Sequence, residues 1–502
     1  MSDPDRPAEG PETAHRFSTT ARRAVVALLA VAIGWAAWLW WDSRVPATYS
    51  VAPTHAGHGA QVGADGVDVV DLTADPDRPA DVRMRLEARS ATLTNSNGGS
   101  FRGYTLNGSS PGPEIRAREG DMVEVALHNI DVADGTTLHW HGVDVPAAMD
   151  GVAGVTQDAV HPGGSFTYRF VAEDPGTYWY HAHQVSHEQV IGGLLGPLVI
   201  EPVAGTGQDT DADADADADA TMLLHTYPGG SRTIAGVPEE TRRDAAPGAT
   251  IRVRAINTDN VTAQVWVAGA DARLLAVDGT DLHEPGVVKN RRIRLAAGAR
   301  ADLAVTVPVD GAVRVQSPGV SLVLGPPDAV APEAPSPAEE LDLLTYGTPA
   351  VLPFDAGAPD RSYEYRIGQR VGFLDGRPGY WWTINGRMGR HVPMYTVNEG
   401  EVVAMRIVNR SPEVHPMHLH GHHVLVTARD GRPATGSPWW VDSLDVEAGE
   451  SYDIVFLADN PGIWMDHCHN LPHAVEGLMT HVSYEGVTTP FLLGRGSGNE
   501  PE

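Results

Sequence analysis

Histidine has the most unusual arrangement of any residue type in this chain of 502 residues, which contains 22 histidines and one cysteine. At this frequency about one His-x-His pair is expected by chance, whereas the chain has five. Side chains at positions i and i+2 of a strand face the same side, so each pair can direct two imidazoles at one site. The histidines form four clusters: His139-Trp-His141, His181-Ala-His183, His415-Pro-Met-His418-Leu-His420, and His467-Cys468-His469 followed by His473. This pattern predicts metal sites built on strands.

The ligand types around Cys468 indicate which metal is bound. Two imidazoles and one thiolate with a weak fourth position make a blue copper electron-transfer site. Cys468 and His473 lie five residues apart, and His415 supplies the second imidazole. A structural zinc site usually has four firm ligands, whereas position 478, ten residues after the cysteine, holds Leu478, which cannot bind metal. The sequence therefore favours copper over structural zinc.

Composition indicates what positions these side chains. Hydrophobic residues make up 42% of the chain, and the 54 glycines and 38 prolines suit many short strands joined by turns. Alternating apolar and polar runs, such as residues 122–127 and 251–256, predict half-buried strands, so we expect an all-β protein. The net charge of −29 argues against nucleic acid as a partner. A single cysteine excludes an intramolecular disulfide.

Composition shifts divide the chain into sandwich-sized segments and polar connectors. The acidic repeat DTDADADADADA is expected to be disordered, because it cannot bury apolar surface. The predicted segments are a cytoplasmic N-terminal segment (1–23), a membrane anchor (24–41), a flexible linker (42–81), a first domain (82–204), an acidic linker (209–220), a second domain (221–325), a Pro-rich linker (326–340) and a third domain (341–490).

The N-terminal apolar run sets the expected location. Residues 24–41 are uncharged and just long enough to cross a bilayer as a helix, with basic residues before them and tryptophans in their second half. We expect a single-pass anchor in the cell membrane with the catalytic domains outside the cytoplasm. A cleaved signal sequence followed by secretion is the alternative, and the export route, Sec or twin-arginine, stays open.

An internal repeat links the first and third domains. Near the end of each lies the pattern Pro-Gly-x-aromatic-x-x-His-x-His, at residues 175–183 and 461–469. The second domain lacks such clusters, which predicts a spacer without metal. Two copies of one sandwich that face each other would bring the four histidine clusters together.

The four clusters resemble the copper-binding signatures of three-domain, laccase-like multicopper oxidases, across about residues 82–490. The resemblance implies three cupredoxin-like Greek-key β-sandwiches that bind four copper ions. It also implies that single electrons from phenols or aromatic amines are used to reduce O₂ to water. The implied ligands are His415, Cys468 and His473 for type 1 copper, His139 and His418 for type 2 copper, and His141, His181, His467 and His183, His420, His469 for the two type 3 coppers.

The resemblance also implies an acid that supplies protons. Asp150 lies nine residues after His141, where family members place such an acid, although Asp150-Gly151 is also a common turn pair. Many bacterial relatives have a second acid directly after the type 1 histidine, where this chain has Ala474. Glu476 lies two residues further on. The second acid is therefore absent from its usual position.

Three alternatives to a laccase-like activity differ in the ligands that they need. A copper nitrite reductase would have no use for eight further histidine ligands, and a plain electron carrier would be expected to have lost some of them. A cuprous-ion oxidase remains open, although the 11 methionines are scattered and form no Met-rich insertion. The electron donor, a small molecule or Cu(I), and the oligomeric state are not determined by the sequence.

Overall fold

The computed structural model describes residues 19–51, 66–203 and 217–502. Most regular structure in those ranges is β, which confirms the all-β prediction. The α-helices in the described ranges are α1 (Thr19–Asp42), α2 (Ser186–Gln189) and α3 (Leu471–Val475).

The first domain is a β-sandwich of two four-stranded sheets. The strands up to residue 201 are β1 (Val67–Asp68), β2 (Val82–Thr94), β3 (Ser100–Leu106), β4 (Ile115–Arg118), β5 (Met122–Asn129), β6 (His139–His141), β7 (Ser165–Val171), β8 (Gly176–His181) and β9 (Leu195–Glu201). The sheet orders are β3-β2-β5-β7 and β4-β9-β8-β6. Because β6 pairs with β8 and His139 lies opposite His181, the first two histidine clusters are neighbours in one sheet.

The second domain is a continuous sheet with the order β16-β15-β19-β13-β10-β11-β12-β21-β20-β14-β18, and β17 pairs with β15. Its strands are β10 (Ala218–His225), β11 (Thr233–Ile234), β12 (Val237–Asp244), β13 (Thr250–Asn257), β14 (Ala263–Ala268), β15 (Ala272–Val277), β16 (Thr280–Asp281), β17 (Val287–Val288), β18 (Ile293–Leu295), β19 (Arg300–Thr306), β20 (Val313–Ser317) and β21 (Val320–Gly325). The buried faces of β13, β19 and β21 pack with the third domain in one large apolar cluster.

The third domain repeats the strand order of the first. Its sheets are β23-β22-β25-β31-β27-β28, with β29 beside β27, and β24-β33-β32-β26-β30. The strands are β22 (Arg361–Leu374), β23 (Arg377–Ile384), β24 (Tyr395–Val397), β25 (Val402–Asn409), β26 (His415–Leu419), β27 (Val424–Arg429), β28 (Arg432–Pro433), β29 (Trp440–Val441), β30 (Ser443–Val446), β31 (Ser451–Leu457), β32 (Ile463–Cys468), β33 (Met479–Tyr484) and β34 (Val487–Thr488). β26 pairs with β32, so the third and fourth clusters are also neighbours.

The structure corrects the predicted linker at residues 42–81 wherever it describes that segment. Tyr49 exchanges two backbone hydrogen bonds with Leu493, of 3.0 and 2.8 Å. β1 pairs in parallel with β34, and Val69 is fully buried. These apolar residues dock the segment on the folded domains because burying them is favourable, even though the surrounding composition is polar. Residues 52–65 lie outside the described ranges.

The acidic connector also ends earlier than predicted. β10 begins at Ala218, Ala220 is buried, and Asp219 forms ion pairs with Arg116 and Arg254 at 2.9 and 2.8 Å. Charge pairing across the first two domains therefore orders the last residues of the repeat, and residues 209–216 lie outside the described ranges. The Pro-rich connector 326–340 has no strand, but Trp266 Nε1 donates to its Ala334 carbonyl at 3.0 Å.

α1 contains the whole predicted anchor. It is long and apolar enough to cross a membrane, and Leu39 is its one buried residue. A signal sequence would satisfy the same criteria. Residues 1–18 lie outside the described ranges. At the other end of α1, Asp42 forms an ion pair with Arg370 of β22, so the helix ends against the third domain.

Candidate metal centres

The three residues predicted around the cysteine do come together, at what we call the cysteine site. His415 begins β26, Cys468 ends β32 and His473 lies in α3. Cys468 Sγ is 3.6 Å from His415 Nδ1 and 3.7 Å from His473 Nδ1, and the two Nδ1 atoms are 3.2 Å apart. His415 and Cys468 are fully buried, whereas His473 is 8% exposed. The cysteine site therefore meets solvent along the His473 edge.

Partners on the outer nitrogens set which nitrogen of each ring faces the cysteine. Glu413 Oε2 lies 3.3 Å from His473 Nε2, and Ser411 Oγ lies 2.8 Å from His415 Nε2. For His415, a proton on Nε2 shared with Ser411 Oγ leaves the Nδ1 lone pair toward Cys468 Sγ. His473 has the same arrangement when its Nε2 donates to Glu413 Oε2; Asn470 Nδ2 also lies 3.2 Å from this nitrogen. Burial lowers the pKa of His415 to about 3, so its imidazole is neutral, and raises the pKa of the Cys468 thiol well above its usual range. A buried thiolate at this place requires a bound cation.

Leu478 is fully buried beside the cysteine site, as expected for a non-ligating neighbour. Its carbonyl accepts from Cys468 N at 3.1 Å, and its N–H donates to the His473 carbonyl at 3.0 Å. Trp382 lies edge-on to His415, with ring centroids 4.6 Å apart. Leu478 and Trp382 therefore cover part of the cysteine site with apolar side chains, and His473 is the one of its three residues that reaches solvent.

The eight remaining histidines of the predicted ligand set form a second group, here called the histidine cluster, between the first and third domains. None of them is more than 1% exposed. Rings from the two domains stack: His139 on His420 with centroids 3.7 Å apart, and His141 on His418 at 3.8 Å. Its members are His139, His141, His181, His183, His418, His420, His467 and His469.

His139 and His418 show why this cluster fits a cation. Each ring donates Nδ1–H to a backbone carbonyl, that of Asp150 at 2.9 Å and that of Asp442 at 2.8 Å. Each Nε2 then carries a lone pair, and the two Nε2 atoms face each other at 3.4 Å. Two converging lone pairs repel each other unless a cation lies between them. This arrangement is what an imidazole-bound metal requires.

Several buried ring nitrogens in the cluster have no hydrogen-bond partner among the described residues. They are Nε2 of His181, Nδ1 of His141, Nδ1 of His467, and both nitrogens of His183 and of His469. Burial lowers the pKa of His141, His181, His183 and His469 well below the usual range, and neighbouring histidines lower it further. Neutral, unpaired imidazoles at this depth are suited to a soft or borderline metal such as copper.

The sequence-based prediction grouped His467 with His141 and His181, and His469 with His183 and His420. The structure corrects this grouping. The ligand atoms of His183, His420 and His467 lie within 4.8 Å of one another, and the Nε2 atoms of His420 and His467 are 3.3 Å apart. The ring of His469 instead lies 4.9 Å from that of His141 and 5.5 Å from that of His181. The two histidines therefore exchange places relative to the prediction.

Strand register explains the exchange. β26 and β32 are antiparallel, with His418 opposite His467. His420 N donates to the Met465 carbonyl at 2.9 Å, and His469 N donates to the Pro416 carbonyl at 2.6 Å. His420 and His469 thus lie toward opposite ends of this ladder, so His420 reaches His467 and not His469.

Asp150 is both the predicted turn residue and a neighbour of the cluster. It ends a short 3₁₀ turn, and Gly151 has φ +78°, where an added Cβ would lie 1.8 Å from the Leu138 carbonyl oxygen. Both carboxylate oxygens of the fully buried Asp150 are 3.1 Å from His420 Nδ1, and Oδ1 is 3.1 Å from His139 Nδ1. The turn therefore aims the carboxylate at two rings of the cluster.

Sequence reasoning missed the polar residues behind the rings. Asp442 Oδ1 lies 3.2 Å from His141 Nε2 and 2.6 Å from Arg300 Nη1. Asp278 accepts from Arg300 N at 2.8 Å and from Ser443 N at 3.1 Å, and Arg300 is fully buried. Arg300 and Asp278 belong to the second domain, so the predicted spacer supports the cluster. None of these residues lies in a recognisable motif.

The two histidines that follow the third cluster, His422 and His423, have other partners. His422 Nε2 lies 2.7 Å from the Tyr484 hydroxyl. His423 lies 3.5 Å from Asp144 and 3.6 Å from Asp442. Burial lowers the pKa of His423, but the two carboxylates outweigh burial and raise it to about 10. His423 is therefore a cation that pairs with carboxylates.

Comparison with known proteins assigns these features to one family. Two family models, both described as multicopper oxidase, match residues 87–205 and 369–486. "Multicopper oxidase MmcO" of Mycobacterium tuberculosis is 28% identical over 443 residues, covering 76% of this chain and 82% of that protein. "Copper resistance protein A homolog" of Pseudomonas syringae is 44% identical over 110 residues, 22% of this chain and 18% of its own length. The crystal structure of a multi-copper oxidase from Pseudomonas thermotolerans aligns with TM-score 0.66 and 28% identity, over 81% of this chain and all of that one.

The buried ion pair of Arg300 makes a prediction about stability. Arg300→Met leaves Asp442 and Asp278 buried without their cation, so we expect the free energy of unfolding to fall by about 3–5 kcal/mol. Urea unfolding of the metal-free protein measures this. The control is Arg406→Met, which breaks the half-exposed pair with Asp453 and should cost no more than about 1 kcal/mol. Equal losses in the two variants would contradict the structural role given to Arg300.

Proposed function

Because this chain belongs to the multicopper oxidase family, we propose that it is a laccase-like oxidase with four copper ions. It takes single electrons from small reducing substrates at the cysteine site and delivers them to O₂ at the histidine cluster. The observation that carries the proposal is the convergence of ten buried histidines and Cys468 on two adjoining sites. A nitrite reductase has no use for the eight-histidine cluster.

The ligand assignment follows the strand register rather than the sequence-based prediction. Bound copper would supply reversible one-electron redox chemistry and the reduction of O₂ to water. The residues that would hold it are His415, Cys468 and His473 for type 1, His139 and His418 for type 2, and His141, His181, His469 and His183, His420, His467 for the two type 3 ions.

The chain itself connects the two sites. Cys468 belongs to the cysteine site, and its two neighbours in sequence, His467 and His469, belong to the histidine cluster. Backbone bonds therefore link the thiolate sulfur to the cluster by a short covalent route. All three residues are fully buried at the end of β32, which keeps this route rigid and dry.

The two sites differ in their access to solvent, which suits them to different reactants. The cluster is closed on every side by protein, with no ring more than 1% exposed, as suits chemistry on a small gas molecule. The cysteine site is partly covered by Leu478 and Trp382 and reaches solvent at His473, so electrons can enter without the substrate reaching the thiolate. The covalent route through Cys468 therefore joins two sites whose surroundings remain different.

Asp150 is proposed to serve the proton requirement of O₂ reduction. Its carboxylate lies 3.1 Å from Nδ1 of His420 and from Nδ1 of His139, so it orients both rings and can hold a proton at Oδ1 or Oδ2. Ala474, at the usual position of a second acid, is buried and carries no polar group. Glu476 cannot replace it there, because its carboxylate accepts from Trp382 Nε1 at 3.1 Å, on the cysteine-site side.

The exposed edge of the cysteine site indicates the class of electron donor. Glu413, whose side chain is 53% exposed, lies 3.3 Å from His473 Nε2. A carboxylate at this edge attracts cations, so it favours cationic aromatic amines and Cu(I) over anionic donors. Phenols and aromatic amines remain the proposed donors, and Cu(I) is the second candidate on the strength of Glu413.

The location proposed is the outer face of the cell membrane, with α1 as an uncleaved anchor. Every residue of α1 except Leu39 is at least partly exposed, as expected for a helix whose apolar surface faces lipid. The ion pair between Asp42 and Arg370 then holds the third domain near the end of the helix.

The cysteine site is tested by Cys468→Ser. The hydroxyl is a weak copper ligand with no low-energy charge-transfer band, so we expect the blue absorption and the oxidase activity to disappear while the protein stays folded. Visible absorption, circular dichroism and oxygen uptake measure the three properties. Blue absorption retained in this variant would contradict the copper assignment.

The proton role is tested by Asp150→Asn. Copper content and blue absorption should match the unchanged protein, whereas turnover should fall by about 10²–10⁴-fold, the usual contribution of a positioned acid. Stopped-flow absorption separates the steps: anaerobic bleaching by substrate should keep its rate, and recovery of the blue band under O₂ should slow. Normal turnover with normal copper content would leave Asp150 as a turn residue only.

The donor class is tested by Glu413→Gln. Loss of the carboxylate should raise KM for Cu(I) and for a cationic aromatic amine by roughly two- to fivefold, as expected for a part-exposed charge pair. KM for neutral 2,6-dimethoxyphenol should not change. The matched control is Glu364→Gln on β22, since Glu364 is 55% exposed and pairs with Arg366. A parallel shift for cationic and neutral donors would contradict the electrostatic explanation.

The anchor is tested by deleting residues 1–41, which keeps Asp42 and the docked residues 43–51. The full chain should sediment with membranes and resist carbonate extraction, whereas the truncated chain should be soluble and active. Mass spectrometry of the mature N-terminus provides the control. A mature chain beginning after residue 41 would establish a cleaved signal sequence instead.

A further inference from the structure

Residues 489–502, called here the closing segment, cross from the third domain to the first. The Thr489 hydroxyl donates to the Val155 carbonyl at 2.6 Å, and Ala159 N donates to Asn499 Oδ1 at 2.9 Å. Val185 N donates to the Glu500 carbonyl at 2.7 Å. These bonds hold the segment beside the loop that follows β8, directly after His183.

This docking buries one carboxylate against the histidine cluster. Glu502 Oε1 lies 2.9 Å from His467 Nδ1 and 4.0 Å from His183 Nε2, and its side chain is 5% exposed. Its second oxygen accepts a hydrogen bond from the Ser186 hydroxyl. Neither His467 Nδ1 nor Glu502 Oε1 has a hydrogen-bond partner among the described residues, so the 2.9 Å contact between them is a close ion-pair contact rather than an aligned hydrogen bond. A small rotation of either side chain would align the pair, so Glu502 is the carboxylate that the fold places beside that nitrogen.

The position matters because of what lies across the His467 ring. His467 Nε2 faces His420 Nε2 at 3.3 Å. In the rings of His139 and His418, a backbone oxygen behind Nδ1 keeps the proton there and leaves Nε2 as the lone pair. The Asp150 carboxylate does the same for His420. The Glu502 carboxylate is the oxygen group that lies behind Nδ1 of His467.

We propose that Glu502 is a positioning residue of the histidine cluster: its carboxylate keeps His467 protonated on Nδ1 and turns Nε2 toward His420 and His183. The inference rests on the proposed function. The Glu502 carboxylate reaches the cluster from a segment that lies 28 residues beyond Ala474. A carboxylate behind a ligand histidine raises its basicity and fixes its orientation.

The experiment uses the full chain, loaded with copper, with the variants Glu502→Ala and Glu502→Gln. Glu500→Gln is the matched control, because the Glu500 side chain is 45% exposed and pairs with Arg495 at the surface. Copper per chain, its retention against a chelator and the near-ultraviolet band of the coupled copper pair report on the cluster. The blue band reports on the cysteine site, and the melting temperature of the metal-free protein reports on folding.

Loss of an oxygen partner behind a ligand histidine typically weakens metal binding 10- to 100-fold, so we expect Glu502→Ala to lose cluster copper at correspondingly lower chelator concentrations. The near-ultraviolet band should weaken while the blue band persists. Glu502→Gln should recover much of the binding, because the amide oxygen still accepts from Nδ1–H, and Glu500→Gln should match the unchanged protein.

The outcomes separate this inference from the function on which it rests. Copper retention and a near-ultraviolet band in Glu502→Ala equal to those of Glu500→Gln would overturn the role of Glu502 and leave the proposed function intact. If the wild-type protein itself bound no copper, both the proposed function and this inference would be overturned.

Discussion

The central constraint on this structure is the burial of eight imidazoles whose lone pairs point at one another. At distances such as 3.4 Å between the Nε2 atoms of His139 and His418, the rings repel each other unless a cation is bound between them. No single sandwich can supply the cluster, because its members come from both the first and the third domain. The repeated strand order of the two sandwiches gives each domain a complementary half. The packing of the first domain against the third therefore determines the geometry of the metal centre.

In several rings of the cluster, an oxygen acceptor on the outer nitrogen directs the lone pair of the inner nitrogen into the cluster. Some of these acceptors are carboxylates, which introduce buried charge. Asp150, Asp442 and Glu502 bring carboxylates into the protein interior, where an unpaired charge is costly. Asp442 is compensated by Arg300 of the second domain, which is fully buried and also bound to Asp278. Burial and the nearby Asp442 raise the pKa of Asp278 to about 7, although Arg300 acts in the opposite direction. The second domain thus supplies the counter-charge.

Much of this protein could be predicted from the sequence because the relevant signals are local. Residues two apart on a strand share a face whatever the fold, so the His-x-His pairs predicted paired ligands, and Cys468 with His415, His473 and Leu478 indicated copper. Alternation and turn residues predicted the three β-domains. The docked part of the linker at residues 42–81 was missed because a few apolar residues, such as Val69, outweigh a polar composition once a groove exists to receive them.

Tertiary structure alone decided the features that depend on register and on distant partners. His467 and His469 are equivalent in sequence, since both flank Cys468 and both lie on one face; only the pairing of β26 with β32 sends the first to His420 and the second to His141. Arg300 meets Asp442 across 142 residues, and Glu502 meets His467 across 35. Such contacts leave no periodic or compositional trace, because each is a single pair whose partners are brought together only when the domains pack.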